Sequence, residues 1–177
     1  MSESTVILNA SALQRALTRI AHEIAEQNDS STDVVVIGIQ RGGLHVAQRL
    51  SALLAGIWGQ PVPIGSLDVS MHRDDLDQRL SPNIHPTVIP FDVTGKTVVL
   101  VDDVLFSGRT VRSAMDALND FGRPRRIQLA VLIDRGHREL PIKADFVGKN
   151  VPTSLAEIVH VRVGESEGED SVYLEKK

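Results

Sequence analysis

The chain has 177 residues, a formal net charge of −4 at pH 7 and no cysteine. The length suits one domain, predicted over residues 1–177, and hydrophobic residues at 42% with charged residues at 24% argue against a disordered chain. The absence of cysteine excludes disulfides, thiol nucleophiles and thiolate metal sites. The negative net charge requires any nucleic-acid site to be a local basic patch.

The N-terminal sequence MSESTVILNA contains neither a basic segment nor a long apolar one, so it does not predict a signal peptide. The longest apolar stretches, such as residues 50–58, are much shorter than the ~20 residues that a membrane-spanning helix needs. We therefore expect a cytoplasmic protein that makes no contact with membranes.

The first predicted element is an amphipathic helix. Ser11 is the predicted N-cap, and the polar residues 28–31 predict the end of the helix. Its apolar face comes from residues spaced three and four apart, namely Leu13, Leu17, Ile20, Ala21 and Ile24. The continuous apolar run at residues 34–39 then predicts a buried parallel strand.

The second helix is predicted to begin at Gly42 and Gly43 and to continue through Leu54. Residues 62–69 predict a strand. The chain then becomes polar and rich in proline from residue 71 to residue 90, a composition typical of a flexible loop or of an excursion from the core.

Alternating elements resume after this excursion. Residues 97–101 predict a strand that ends at Asp102 and Asp103, and residues 109–121 predict a helix that ends at Gly122. Further strands are predicted at residues 127–133, 158–163 and 172–174. The alternation of strands and helices predicts an α/β fold with a mostly parallel, doubly wound sheet and helices on both faces.

The segment VVLVDDVLFSGRT, residues 98–110, joins a predicted strand to a predicted helix. Ligands bind at the carboxyl ends of the strands in such sheets. The hydroxyls of Ser107 and Thr110, the free N–H groups of the helix and the small Gly108 suit a phosphate. The carboxylates before them suit vicinal hydroxyls, so the segment predicts a ribose-phosphate site. The alternative is a capped helix that binds no ligand.

The same segment resembles the phosphoribosyl diphosphate (PRPP) motif of type I phosphoribosyltransferases. The similarity continues downstream through residues 115–118, 122–124, 127–141 and 144–154, and upstream through residues 15–23 and 73–76. Together these segments resemble the PyrR family, the pyrimidine operon regulators with uracil phosphoribosyltransferase activity. The sequence departs from the family at residues 40–43 (Gln-Arg-Gly-Gly), at His72, and at Phe106 with Ser107.

The resemblance implies a type I phosphoribosyltransferase fold with a flexible loop or hood, and transfer from PRPP, in the presence of Mg²⁺, to uracil, giving UMP and diphosphate. The catalytic residues would be Asp102 and Asp103, which hold the ribose diol, and Arg73, which closes over PRPP. Arg41 and the backbone of Gly42 and Gly43 would hold the diphosphate, and Phe106, Ser107, Gly108, Arg109 and Thr110 would hold the 5′-phosphate. The backbone of the segment from Ile133 to His137, which includes Asp134, would read the pyrimidine edge, with Arg135 nearby. The resemblance also places Gln40, Val104 and Leu105 among the substrate-binding residues.

Each assignment has a structural alternative. Gly42 and Gly43 also suit a tight turn without a ligand, Arg73 also fits a solvated run of charges, and residues 135–138 also fit a solvated turn. Phe106 stands where 6-oxopurine enzymes carry an aspartate that exchanges a proton with purine N7. The lysine-rich hood of orotate enzymes is also missing between residues 68 and 90. Both absences favour uracil over a purine or orotate.

Thr18, Arg19 and His22 share the polar side of the first predicted helix. The resemblance implies that this face binds the mRNA leader of a pyrimidine operon in response to UMP or UTP, in a homodimer or larger homo-oligomer. Spacing alone favours a solvated face, which would leave an enzyme or nucleotide sensor without RNA regulation. Glu26 replaces the second histidine of a metal-binding H-E-x-x-H motif, so no protein metal site is predicted.

Overall fold

The computed structural model describes residues 3–29, 31–70, 86–164 and 168–177. Its strands are β1 (Ser4–Leu8), β2 (Val34–Ile39), β3 (Ile64–Leu67), β4 (Thr97–Leu105), β5 (Arg126–Asp134), β6 (Phe146–Asn150), β7 (Glu157–Arg162) and β8 (Ser171–Lys176). Its α-helices are α1 (Ala10–Gln27), α2 (Gly42–Trp58) and α3 (Arg109–Leu118). No helix of the described ranges is both long enough and apolar enough to cross a membrane.

The main sheet has five parallel strands in the order β3-β2-β4-β5-β6. Every residue of β2 is buried, as a parallel strand covered on both faces requires. The carboxyl ends of β2, β4 and β5 lie side by side at one edge of the sheet, which is the edge where ligands bind in such folds.

Helices cover both faces of this sheet, as the sequence predicts. On one face, α1 and α2 pack against the side chains of Val36, Val99 and Leu132. On the other face, α3 packs against the intervening residues, such as Leu100 and Val131. The two apolar layers follow from the alternation of side chains along a strand.

A second sheet of three antiparallel strands has the order β1-β8-β7. Val172 of β8 is fully buried and joins the apolar layer that α1 and α2 form. The sequence analysis did not predict β1, because its residues alternate too briefly to be distinguished from a polar terminus. It did predict strands close to β7 and β8.

Several boundaries differ from the predicted ones. Helix α1 is capped by Asn9 rather than Ser11, because the Asn9 Oδ1 accepts a hydrogen bond from the Ala12 N–H at 2.8 Å. Ser11 instead accepts a hydrogen bond from the Arg15 guanidinium. Helix α3 ends at Leu118, and the next three residues form a 3₁₀ turn before Gly122, a common tightening at a helix end. Strand β6 was not predicted.

The polar excursion lies mostly outside the described residues, and with it lie His72 and Arg73. Where the description resumes, Val88 forms an antiparallel bridge with Ser66, through N–H···O contacts of 2.8 and 2.9 Å. The excursion therefore returns to the sheet beside β3.

Candidate active site

Asp102 and Asp103 lie near the carboxyl end of β4 and face opposite sides of the sheet. Asp102 is 8% exposed and lines a cavity on the α3 side. Asp103 lies on the α2 side, where its carboxylate adjoins Gly42. In each residue, Oδ1 accepts a hydrogen bond from the next backbone N–H, at 2.8 Å for Asp102 and 2.7 Å for Asp103. The local backbone thus fixes both carboxylates.

The loop between β2 and α2 packs directly against the end of β4. An added Cβ at Gly42 would overlap the Asp103 carboxylate, and one at Gly43 would overlap the Val101 carbonyl oxygen. The Gln40–Arg41 peptide bond is cis, and the Gln40 N–H donates to the Leu67 carbonyl at 2.9 Å. The residues predicted to hold diphosphate therefore lie beside a predicted catalytic carboxylate.

A cavity of about 280 Å³ lies between the end of β4 and the start of α3. It is lined by Asp102, the continuous residues 104–111, and Glu139. Gly108 has φ +94° and precedes α3, whose first N–H groups lack partners within the helix. The Ser107 hydroxyl accepts one of them, from Arg109, at 3.3 Å. The loop and helix start form the concave, N–H-rich surface that suits a phosphate.

Two of the predicted contact residues have side chains that point into the core. Leu105 is 2% exposed and Ile133 is fully buried, so neither offers a side chain to a ligand. The Leu105 carbonyl instead accepts a hydrogen bond from the Arg135 N–H at 3.1 Å. This bond extends the contact between β4 and β5, whose register pairs Leu105 with Asp134.

A second cavity of about 450 Å³ lies at the end of β5, where the sequence predicts the pyrimidine site. It is lined by residues 134–138 and 150–152. Arg135 is 8% exposed, and its guanidinium donates to the Thr153 hydroxyl at 3.2 Å and to the Ser154 carbonyl at 3.0 Å. These bonds hold the chain after β6 against the end of β5.

Phe106 lines the first cavity and contacts two residues that line the second. The Arg135 guanidinium carbon is 4.4 Å from the centroid of the Phe106 ring, and the His137 ring makes an edge contact with a centroid distance of 5.9 Å. His137 adopts φ +66°, and its Nε2 lies 2.6 Å from the Thr153 carbonyl oxygen. The predicted phosphate loop and pyrimidine segment therefore make direct contact.

Residues 4–165 match the family described as the phosphoribosyl transferase domain. The Bifunctional protein PyrR of Chloroflexus aurantiacus is 58% identical over 175 residues, which cover 98% of this chain and 96% of that protein. The Bifunctional protein PyrR of Thermus thermophilus is 56% identical over 169 residues, which cover 95% and 93% of the two chains. The chain belongs to the PyrR family of phosphoribosyltransferases.

Solved structures support the fold independently. A hypoxanthine phosphoribosyltransferase from Trypanosoma cruzi, in complex with the product IMP, aligns with a TM-score of 0.70 at 19% identity and covers 89% of this chain and 83% of that chain. A hypoxanthine-guanine phosphoribosyltransferase from Bacillus anthracis aligns with a TM-score of 0.68 at 21% identity, over 84% of each chain. At this identity the similarity establishes the type I phosphoribosyltransferase fold alone.

The sequence analysis gave no role to Arg138 and Glu139, both of which contact the predicted phosphate loop. Glu139 lines the first cavity, and its Oε2 accepts a hydrogen bond from the Arg109 Nε at 2.8 Å. Arg138 donates to the Phe106 carbonyl at 2.8 Å. Both residues lie in a segment that resembles the PyrR family, but their charges alone do not distinguish such contacts from a solvated turn.

The predicted RNA-binding residues lie on α1 and line neither of these two cavities. His22 is exposed, and Thr18 donates to the Gln14 carbonyl within the helix. The Arg19 side chain is 49% exposed, pairs with Glu23 at 3.0 Å, and donates to the carbonyls of residues 147 and 148 in β6. Arg19 thus also attaches α1 to the edge strand of the main sheet.

Proposed function

We propose that the protein transfers the phosphoribosyl group of PRPP to uracil, forming UMP and diphosphate, and that it regulates pyrimidine genes by binding their mRNA leader. The observation that carries the enzymatic proposal is that three loops, those after β2, β4 and β5, lie together at one edge of the main sheet. The glycine loop after β2 packs on Asp103, Asp102 lines the cavity at the start of α3, and Phe106 of that loop contacts Arg135 after β5.

Each subsite suits one part of the substrates. Residues 40–42 would hold the diphosphate, residues 104–110 the 5′-phosphate and ribose, and residues 133–137 the pyrimidine, with Leu105 and Ile133 contributing only backbone. Asp102 and Asp103 would hold the ribose hydroxyls and stabilise the positive charge that develops on the sugar as diphosphate leaves. Arg73, which lies outside the described residues, is proposed to close over PRPP.

The acidic pair also fits a magnesium ion that arrives with the substrate. Within the described ranges, no cluster of three or more histidine, aspartate or glutamate side chains could hold a metal ion by itself. Mg²⁺ is commonly bound through one or two carboxylates together with substrate phosphates and water, and Asp103 beside the diphosphate loop offers such a carboxylate. When bound, Mg²⁺ neutralises charge on the leaving diphosphate.

The residue at position 106 supports uracil over a purine. A 6-oxopurine enzyme needs a carboxylate there to exchange a proton with purine N7. The ring of Phe106 provides no such group, and it contacts both the Arg135 guanidinium and the His137 ring. Transfer to hypoxanthine or orotate is the competing proposal.

Labelled PRPP with Mg²⁺ and one base at a time separates these proposals. We expect UMP to form from uracil, with little or no nucleotide from hypoxanthine or orotate. Product formation from hypoxanthine or orotate but not from uracil would contradict the assignment.

The regulatory half of the proposal rests on family membership and on the exposed face of α1. Net charge is −4, so binding of RNA would need a local patch and a folded RNA, and a homodimer would double that patch. The competing proposal is an enzyme or nucleotide sensor in which the α1 face is only solvated. Binding of a pyrimidine-leader hairpin, measured with and without UMP, distinguishes the two.

A further inference from the structure

One arginine side chain joins the phosphate loop to the pyrimidine segment. Arg138 donates from Nη1 to the Phe106 carbonyl at 2.8 Å and from Nε to the Ile142 carbonyl at 2.9 Å, and its Nη2 pairs with the Asp134 carboxylate. The Arg138 side chain is only 24% exposed, and that of Asp134 17%. The guanidinium therefore binds three separate parts of the chain while largely shielded from water.

The residues after Arg138 reinforce this attachment. The N–H groups of Glu139 and Leu140 both donate to the Ser107 carbonyl, at 2.9 and 3.2 Å. An added Cβ at Gly108 would lie 3.0 Å from the Ile142 Cγ1, so the two segments are in close contact. We call residues 138–142 the clasp, because they lie along the phosphate loop and follow directly from the pyrimidine segment.

The clasp joins the two loops beyond the last residues through which β4 and β5 pair. Up to Leu105 and Asp134, β4 and β5 are held in register as parallel strands, and the Arg135 N–H extends the contact by one bond to the Leu105 carbonyl. At the next residue, Phe106, the carbonyl is bound by the Arg138 side chain instead. Beyond the paired strands, the relative position of the two loops therefore depends on the backbone bonds to the Ser107 carbonyl and on the Arg138 side chain.

We propose that Arg138 is a positioning residue that sets the spacing between the 5′-phosphate site and the pyrimidine site; the inference rests on the proposed function. Transfer requires the anomeric carbon, anchored through the phosphate loop, to meet a pyrimidine nitrogen anchored on the segment after β5. A misplacement of about 1 Å can cost on the order of 10²-fold in rate. A planar guanidinium supplies several donors in a fixed fork, whereas a lysine ammonium is a point charge.

The test compares Arg138→Lys and Arg138→Met with Arg123→Met. This control removes an exposed arginine that precedes the amino end of β5, whereas the clasp follows the carboxyl end of β5. Arg138→Lys keeps a cation beside the Asp134 carboxylate, so this variant can still be measured if Arg138→Met does not fold. We expect kcat per folded molecule to fall about 10- to 100-fold, with KM for uracil and PRPP within about threefold of wild type, because each subsite keeps its own contacts. Arg123→Met should match wild type.

A binding measurement gives a readout that does not depend on turnover. UMP carries a phosphate and a pyrimidine at fixed spacing, whereas ribose 5-phosphate occupies the phosphate and ribose sites and leaves the pyrimidine site empty. Calorimetry should show UMP bound about tenfold more weakly by the Arg138 variants, with the affinity for ribose 5-phosphate unchanged. Equal loss for both ligands, or wild-type binding and turnover in folded Arg138 variants, would overturn the inference. If the wild-type protein binds UMP but forms none from uracil, the proposed function is overturned instead. The affinities of the Arg138 variants for UMP and for ribose 5-phosphate then still decide the role of Arg138.

Discussion

Asp102 and Asp103 are neighbours in sequence, yet a strand turns successive side chains to opposite faces. Asp102 therefore faces the cavity at the start of α3, and Asp103 faces the glycine loop before α2. A single dipeptide at the end of β4 thereby serves two subsites of the proposed reaction. The sequence predicts that both are acidic residues of a ribose site, but it ends the strand at these two residues. Strand β4 instead continues through Leu105, so both carboxylates lie within the strand and divide between its faces.

Replacing either carboxylate by its amide should remove activity without unfolding the protein. In Asp103→Asn and Asp102→Asn, the side-chain oxygen can still accept the next backbone N–H, so the local turn is retained. Loss of the negative charge should lower kcat/KM by on the order of 10²-fold or more. Steady-state kinetics and thermal unfolding measured on the same preparations check this. Near-normal turnover in both variants would contradict the assignment.

Glu139 places a negative charge in a cavity proposed to hold a phosphate, where it binds Arg109. Glu139→Gln should therefore lower the KM for PRPP. The Glu139 side chain is 57% exposed, so the gain should be only about two- to fivefold, the range of exposed ion pairs. Glu26→Gln, on the exposed side of α1, makes the same change in net charge and should leave the KM unaltered. A higher KM in Glu139→Gln would show that this carboxylate helps to bind the substrate.

At the scale of secondary structure, the long apolar elements were predictable and the contacts between loops were not. Strand β2 is a continuous apolar run, and β4 and β5 each contain an apolar run of at least four residues, so the identity of these strands and their parallel arrangement follow from sequence. Strand β6 ends in Gly-Lys-Asn and carries too little pattern to be recognised. The clasp is likewise not visible in sequence, because most of its hydrogen bonds go to backbone carbonyls, which any residue supplies.

Asp170 ties the segment before β8 to α2. Partial burial acts to raise the pKa of its carboxyl, but hydrogen bonds from the Gly164 N–H and the Arg49 guanidinium outweigh burial and hold the pKa below the ordinary aspartate value. Such a group stabilises the folded state above its unfolded pKa, and the contribution is lost as pH falls through the folded pKa. Asp170 should therefore support stability at neutral pH and lose this effect below about pH 4.

Thermal unfolding of Asp170→Asn as a function of pH tests this. We expect the variant to melt at a lower temperature than wild type at pH 7, with the difference shrinking as pH falls below about 4. Asp29→Asn changes an exposed carboxylate at the end of α1 and provides the matched control. A melting difference that stays constant down to the lowest pH would mean that the Asp170 charge contributes nothing.

At the scale of the whole molecule, the proposed active site and the proposed RNA surface occupy different parts of the fold. The active site lies at the carboxyl ends of β2, β4 and β5, whereas Thr18, Arg19 and His22 lie on α1. Helix α1 is nevertheless attached to β6 through Arg19, and Asn150 of β6 lines the pyrimidine cavity. The resemblance implied the RNA face, while spacing along α1 shows only that it is polar.

RNA binding should depend on this face and respond to nucleotide. We expect a pyrimidine-leader hairpin to bind, UMP to strengthen binding, and Arg19→Ala to weaken it and reduce the slope of log affinity against log salt by about one. His22→Ala leaves the contacts with β6 intact and should also weaken binding, with uracil transfer unchanged. The measurement is hairpin affinity at several salt concentrations. Wild-type affinity in both variants would identify α1 as a solvated face.

The pairing of β1 with β8 joins opposite ends of the chain, since Ser4 lies opposite Glu175 and Leu8 opposite Val172. A ribosome that adds about 5–20 residues per second releases the first strand several seconds or more before the last. During that interval the nascent chain can complete its five-stranded sheet, but β1 has no partner in the second sheet and Val172 is missing from the apolar layer. Final consolidation of the fold therefore has to follow the synthesis of β8, and a polypeptide stalled before that point exposes the surface that β8 covers.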